Sequence, residues 1–296
     1  MSAARFRGRG ILLSGLLLLS LFPVSCTPVR PPGSSSGSPP APSFVVYYGD
    51  APRNRALSRV DWAIVPDSHP LPSATRTVFF AYLSVGEADR DGAVFRELSA
   101  RPQGMAGLSL GENRFWHATV LDIRKEAVRQ ALLDSVARDV RKGFGGVFLD
   151  TLDSPLEYRR EHPVAGRGIG RALASLVGMI HASYPQLRIL ANRGFEILPE
   201  IASDLTGVLY EDFCSRYDQK TKSYVEVPEK ERTAALSAIR RARRRNPSLA
   251  VLALDYDDPA EPRFRVRCRT LARRQGFAHF DSDLALDRAV PEEGGR

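Results

Sequence analysis

Two rhythms of apolar residues alternate along this chain. Short β-branched or aromatic runs, which read as strands, end in glycine, proline or an acid. Between them lie longer stretches with apolar residues at helical spacing. The strand-like runs are 44–48, 61–65, 78–87, 117–122, 146–150, 187–191, 207–210, 249–254 and 277–280. The helical stretches are 124–142, carrying Val128, Leu132, Val136 and Val140, and 169–180, carrying Ile169, Leu173, Leu176, Val177 and Ile180. Shorter or more charged helices are expected at 195–203, at 229–245 before Asn246-Pro247, and at 263–274. With 117–122 set aside as an inserted strand, eight strands alternate with helices over about 250 residues, the arithmetic of a single-domain (β/α)8 TIM barrel. An open doubly wound sheet is the competing topology, but no glycine-rich phosphate loop follows the first strand.

The polar residues that end these strands carry the candidate chemistry. Gly143-Phe-Gly-Gly-Val-Phe-Leu-Asp150-Thr-Leu-Asp153 is a buried-strand pattern ending in two acids. Alone, Asp150 reads equally well as a helix cap. Acids also end other strands, at Asp50, Glu87, Glu211, Asp255 and Asp281, and Asn192 ends another. In a barrel all of these ends open on one face. Crowded carboxylates repel, which raises pKa values, and a carboxylate pair is the equipment of glycoside hydrolysis. Tyr48, Tyr82, Tyr210 and Tyr256 lie at the same ends, placed either for barrel packing or for stacking on sugar rings. No zinc-type spacing of His or Cys, no nucleophile elbow and no cofactor motif is present, so neither metal nor cofactor is expected.

Charge and composition bear mainly on the ends of the chain. The net charge is +8, with Arg5, Arg7 and Arg9 at the start. An apolar segment from Ile11 to Phe22 follows, then Pro23-Val24-Ser25-Cys26. Residues 1–25 read as a signal peptide of lipoprotein type, with Cys26 as the lipidated residue, although Pro23 departs from the usual pattern and simple cleavage is the alternative. Residues 26–43, rich in Pro, Ser and Gly, read as a disordered tether, and 286–296 as a polar tail. Either route places the domain outside the cytoplasm, secreted or lipid-anchored in the cell envelope, with an outer membrane as the expected site. The basic run Arg240 to Arg245 reads as a solvated helix end, and with no aromatics interleaved it does not suggest a nucleic-acid partner. Cys214 and Cys268 are expected as two separate buried thiols, with pairing left open.

Six segments together resemble glycoside hydrolase family 114, the endo-α-1,4-polygalactosaminidases. They are Tyr47-Tyr48-Gly49, Tyr82-Leu-Ser-Val-Gly-Glu87, Gly145-Gly-Val-Phe-Leu-Asp150-Thr-Leu-Asp153, Asn192-Arg-Gly-Phe-Glu196, Tyr210-Glu-Asp212 and Leu254-Asp-Tyr256. The resemblance runs over 44–285. It departs at Gly145-Gly146, where many relatives carry Asp, a position outside the chemistry. It implies a TIM-barrel enzyme cleaving a cationic or partly acetylated α-1,4-linked galactosamine polysaccharide, such as a biofilm matrix polymer. Asp150 is then the nucleophile and Glu211 the acid/base of a retaining mechanism. Tyr48, Asp50, Tyr82, Glu87, Asp153, Asn192, Tyr210, Asp255 and Asp281 form the substrate-binding set. The alternatives are a polysaccharide-binding surface lipoprotein without activity, and a barrel hydrolase of another glycan.

Overall fold

The computed structural model describes residues 41–289. The signal peptide, Cys26 and most of the tether lie outside the described residues. In chain order the elements are β1 (Phe44–Val46), α1 (Asn54–Leu57), β2 (Trp62–Val65), β3 (Val78–Ser84), β4 (Glu87–Asp89), α2 (Ala93–Ser99), β5 (Ser109–Asn113), β6 (Ala118–Leu121), α3 (Glu126–Lys142), β7 (Gly146–Asp150), α4 (Asp153–Glu161), α5 (Ile169–Ser183), β8 (Arg188–Asn192), α6 (Leu198–Ile201), β9 (Gly207–Glu211), β10 (Ser215–Asp218), β11 (Ser223–Glu226), α7 (Glu229–Arg245), β12 (Ala250–Tyr256), α8 (Arg265–Arg274) and β13 (Ala278–Ser282).

Eight strands form one sheet in the order β1-β2-β3-β7-β8-β9-β12-β13, and each pairs its neighbour in parallel. The edge strands come together through Phe44 and Phe280, whose rings lie 5.9 Å apart. The Tyr48 N–H donates to the Leu286 carbonyl at 2.7 Å beside this seam. The result is the expected (β/α)8 barrel. Leu286 and Ala289 are buried, which corrects the boundary drawn at 286: the start of the supposed polar tail packs against the first strand.

Side chains alternate across each strand, and that parity divides the core in two. Phe148, Leu190, Leu209, Leu252 and Phe280 fill the barrel interior. Val147, Leu149, Ile189, Ala191, Val208 and Val251 point outward beneath the helices, where Leu132, Val136, Leu173, Val177, Ile180 and Ile239 meet them. The helical stripes read from the sequence are these buried positions, apart from Val140, which is half-buried. Helix α3 ends at Gly143, whose φ of +97° is the left-handed conformation that glycine adopts without a Cβ penalty. Helix α7 begins with Glu229 and Glu231 and ends with Arg243 to Arg245, both complementing its dipole.

Two additions stand at the carboxyl ends of strands. An antiparallel sheet, β4-β6-β5, follows β3, and the hairpin β10–β11 follows β9. The run expected as one strand over 78–87 breaks at Gly86. A Cβ there would sit 2.0 Å from the Thr151 carbonyl oxygen, so only glycine allows the two loops to approach.

Candidate active site

The last residues of β7, β8 and β9 are Asp150, Asn192 and Glu211. Each follows an outward-facing residue or lies two places beyond an inward one, so all three take the inward parity at the mouth of the barrel. Asn192, which is buried, joins the other two. Its Nδ2 donates one hydrogen bond to Asp150 Oδ1 at 2.8 Å and another to Glu211 Oε2 at 2.8 Å. Asp150 Oδ1 also accepts from the Thr151 N–H at 2.7 Å. Burial, and then the Asp150 charge, raises the Tyr82 hydroxyl pKa above its ordinary value, so it stays protonated beside that carboxylate. Tyr48 packs edge-on to Tyr82 at 5.4 Å. Burial, and then the Asp150 charge, raises the Tyr48 hydroxyl pKa well above its ordinary value, so it stays a donor.

Glu211 differs from Asp150 in its surroundings. Burial pushes its pKa up, and the neighbouring Asp150 charge adds to the rise. Hydrogen bonds from Tyr256 and Asn192, and the charge of Arg193, act in the opposite direction. The Tyr256 hydroxyl donates to Glu211 Oε1 at 2.5 Å. Asp212, next in sequence, is pushed up to about 7, first by burial and then by Glu211. The pair Asp150 and Glu211 therefore joins an acid held toward its protonated form to a carboxylate tied down by neutral donors.

Backbone strain marks the same three strand ends. Thr151, Arg193 and Asp212 directly follow Asp150, Asn192 and Glu211, and their φ values are +61°, +54° and +58°. Non-glycine residues held there cost about 1–3 kcal/mol each. The turns take the chain out of the barrel immediately after each functional side chain. Local bonds offset part of the cost: the Gly86 N–H donates to Thr151 Oγ1 at 2.9 Å, and Arg193 binds Asp153 at 3.0 Å and the Glu211 carbonyl at 3.2 Å.

The remaining expected site residues are distributed unevenly. Asp153 opens α4 and pairs with Arg193 at the rim. Asp50 is exposed, with no hydrogen bond or ion pair among the described residues. Glu87 is buried in β4, where it accepts from Asn113 at 2.9 Å and from Ser154 at 2.5 Å, which ties the inserted sheet to α4. Three expectations are corrected by pleat parity. Tyr210 points outward and packs edge-on between Phe195 at 4.7 Å and Phe213 at 5.3 Å, so it does not stack on substrate. Asp255 is 1% exposed. It accepts from the N–H groups of Cys214 and Ser215 at 2.6 and 2.9 Å and lies 3.1 Å from His279 Nε2, so it shapes the loop behind Glu211. Asp281 faces α8 and accepts from Arg265 at 2.8 Å.

Tyr256 also differs from expectation. It is 4% exposed and serves Glu211 as a donor instead of presenting a ring to solvent. It takes the inward parity of Leu252 and Leu254, one residue beyond the outward-facing Asp255. Cys214 and Cys268 are not separate thiols but a disulfide, with Cα atoms 5.3 Å apart. Their sequence separation of 54 residues gives no hint of this; the fold packs α8 against the loop that follows β9. Among the described residues, no group of three or more His, Cys, Asp or Glu is arranged to hold a metal ion.

Comparison with known proteins agrees with this geometry. The model of glycoside-hydrolase family GH114 matches residues 35–295. The glycoside hydrolase domain of PelA from Pseudomonas aeruginosa is 34% identical, with a TM-score of 0.69, over 83% of this chain and 97% of that one. A variant of the same domain gives 33% and 0.68 over the same shares. Ega3 from Aspergillus fumigatus, solved in complex with galactosamine, shares the fold at a TM-score of 0.57 and 12% identity, over 87% of this chain and 97% of that one. The search of curated proteins returned no match. A family match that spans all the described residues, on a barrel whose mouth holds a half-buried carboxylate pair, establishes that this protein is a glycosidase belonging to family GH114.

Proposed function

We propose that the protein is an endo-acting glycosidase that cleaves α-1,4-linked, galactosamine-containing polysaccharide with retention of configuration. Asp150 is the nucleophile and Glu211 the acid/base. The observation that carries the reading is the single Asn192 nitrogen shared by both carboxylates. Two oxygens bonded to one planar amide nitrogen, whose N–H bonds diverge by about 120°, sit roughly 5 Å apart. Retaining glycosidases hold their carboxyl groups about 5–5.5 Å apart, whereas inverting ones need about 6.5–9.5 Å to admit a water.

The steps follow from the two environments. Glu211, held toward its protonated form, gives its proton to the leaving glycosidic oxygen. Asp150 Oδ1 is occupied by Asn192 and Thr151, which leaves the other oxygen to attack the anomeric carbon. Glu211, now ionised, takes a proton from the water that hydrolyses the glycosyl ester. Among the described residues, the acids Asp150, Asp153 and Glu211 outnumber the single cation Arg193 at the mouth, which favours a cationic, partly de-N-acetylated sugar.

The test is cleavage of a partly de-N-acetylated α-1,4-galactosamine polymer within a panel of glycans, with the product anomer followed by NMR. The α-anomer should appear first, and Asp150→Asn and Glu211→Gln should each lose at least a thousandfold in kcat while melting like the wild type. Full activity in both variants would sink the assignment, and an initial β-product would sink retention. We place the protein outside the cytoplasm, held through Cys26. The disulfide supports an oxidising compartment, and Cys26→Ser should shift the protein from membrane to soluble fractions.

A further inference from the structure

The face of the barrel opposite the carboxylates carries a basic cleft of about 1340 Å³. Its residues Asp61, Trp62, Val78, Arg188, Thr206, Ala250 and Gly276 lie at or just before the starts of strands, which places it on the amino-terminal face. Arg76, Arg188, Arg243, Arg245 and Arg274 line it, against a single acid, Asp61. That acid is already engaged, with its Oδ2 accepting from the Ser43 N–H at 2.8 Å and the Ser43 hydroxyl at 2.7 Å. Arg243 is structural: it donates to the carbonyls of Leu249, Gln275 and Gly276 and lies 5.3 Å from the Phe277 ring. The guanidinium groups of the other four arginines have neither a hydrogen bond nor an ion pair among the described residues, and all four side chains are exposed.

A second observation says what meets this face. Ala41 and Pro42, the first described residues, line the same cleft. The chain therefore enters the barrel at its basic end, and the segment before that entry contains Cys26, the residue read from the sequence as lipidated. We propose that the arginine-lined underside docks on an anionic phospholipid surface, which holds the barrel upright with its carboxylate mouth directed away from the bilayer. Each arginine near such a surface contributes about a fivefold gain in partition, falling steeply with salt. The orientation sends the catalytic face toward the aqueous side, where a polysaccharide lies.

The inference is independent of which glycan the site accepts. Its test is co-sedimentation of the full-length chain with phosphatidylcholine vesicles and with vesicles that also contain phosphatidylglycerol. The mature chain carries the same N-terminal anchor in every arm, so the anchor cancels in the comparison. The expected result is preferential partition onto the anionic vesicles that weakens with added salt. The Arg188→Ala/Arg245→Ala/Arg274→Ala variant should lose that preference by about a hundredfold, with its thermal melt and glycan cleavage unchanged. Equal binding to both vesicle types, or an unchanged preference in the triple variant, overturns the proposal. So does equally strong retention on duplex DNA, which would show a general polyanion site.

Discussion

Asn192 sets the spacing of the two carboxylates with one nitrogen, so its loss should matter more than the loss of an uncharged side chain suggests. Asn192→Ala removes a donor from both Asp150 and Glu211 and lets them move apart. A displacement near 1 Å costs about a hundredfold in rate, and kcat for the polymer should fall by that order while KM changes little. Tyr256→Phe isolates the electrostatic part. The hydroxyl favours the ionised form of Glu211, so removing it raises the Glu211 pKa further. The alkaline limb of the kcat/KM profile should move to higher pH; a downward shift would contradict the role given to Tyr256. At this scale the placement of Asp150 and Glu211 at the barrel mouth was legible in the sequence, because an acid ending a short apolar run is conspicuous. The directions of Tyr210, Asp255, Tyr256 and Asp281 were not. A strand reverses its faces with every residue, and only the register against neighbouring strands decides which residue meets the barrel interior.

The eight barrel strands were legible at the element scale because burial on both faces gives them continuous apolar runs. The hairpin β10–β11 and most of the inserted sheet β4-β6-β5 were not. Ser215–Asp218 and Ser223–Glu226 are short and polar, and their pairing owes more to where β9 delivers the chain than to local preference. Helices α2 and α4 escaped for a similar reason, since neither carries a long enough apolar stripe. The disulfide joins the loop behind Glu211 to α8, and Cys214 lies three residues beyond Glu211. Closing a loop of this length is worth about 4 kcal/mol. Reduction, or Cys268→Ser, should lower Tm by roughly 10 °C in a calorimetric scan. Identical melting with and without reductant would exclude that contribution.

Stability of the whole molecule should depend on pH in an unusual direction. Asp212 is raised to about 7 and Asp139 to about 6, in both cases chiefly by burial. A carboxyl that holds its proton more tightly in the folded than in the unfolded state makes the fold bind more protons. Stability then declines as pH rises from the ordinary carboxylate range through the folded values. Tm should therefore be higher near pH 5 than near pH 8, and Asp212→Asn should flatten the difference; a wild-type Tm that rises across this window would contradict the assignment.

The covalent link between Cys214 and Cys268 has a mechanical consequence as well. A chain held at one end and dragged by a polymer at the other can lengthen only through residues outside the crosslink. The 54-residue separation withholds roughly 180 Å of contour from extension. Helix α7 and strand β12, with Tyr256 at its tip, lie inside that withheld length. Under load they can come off the barrel as a closed loop but cannot be drawn out as a line.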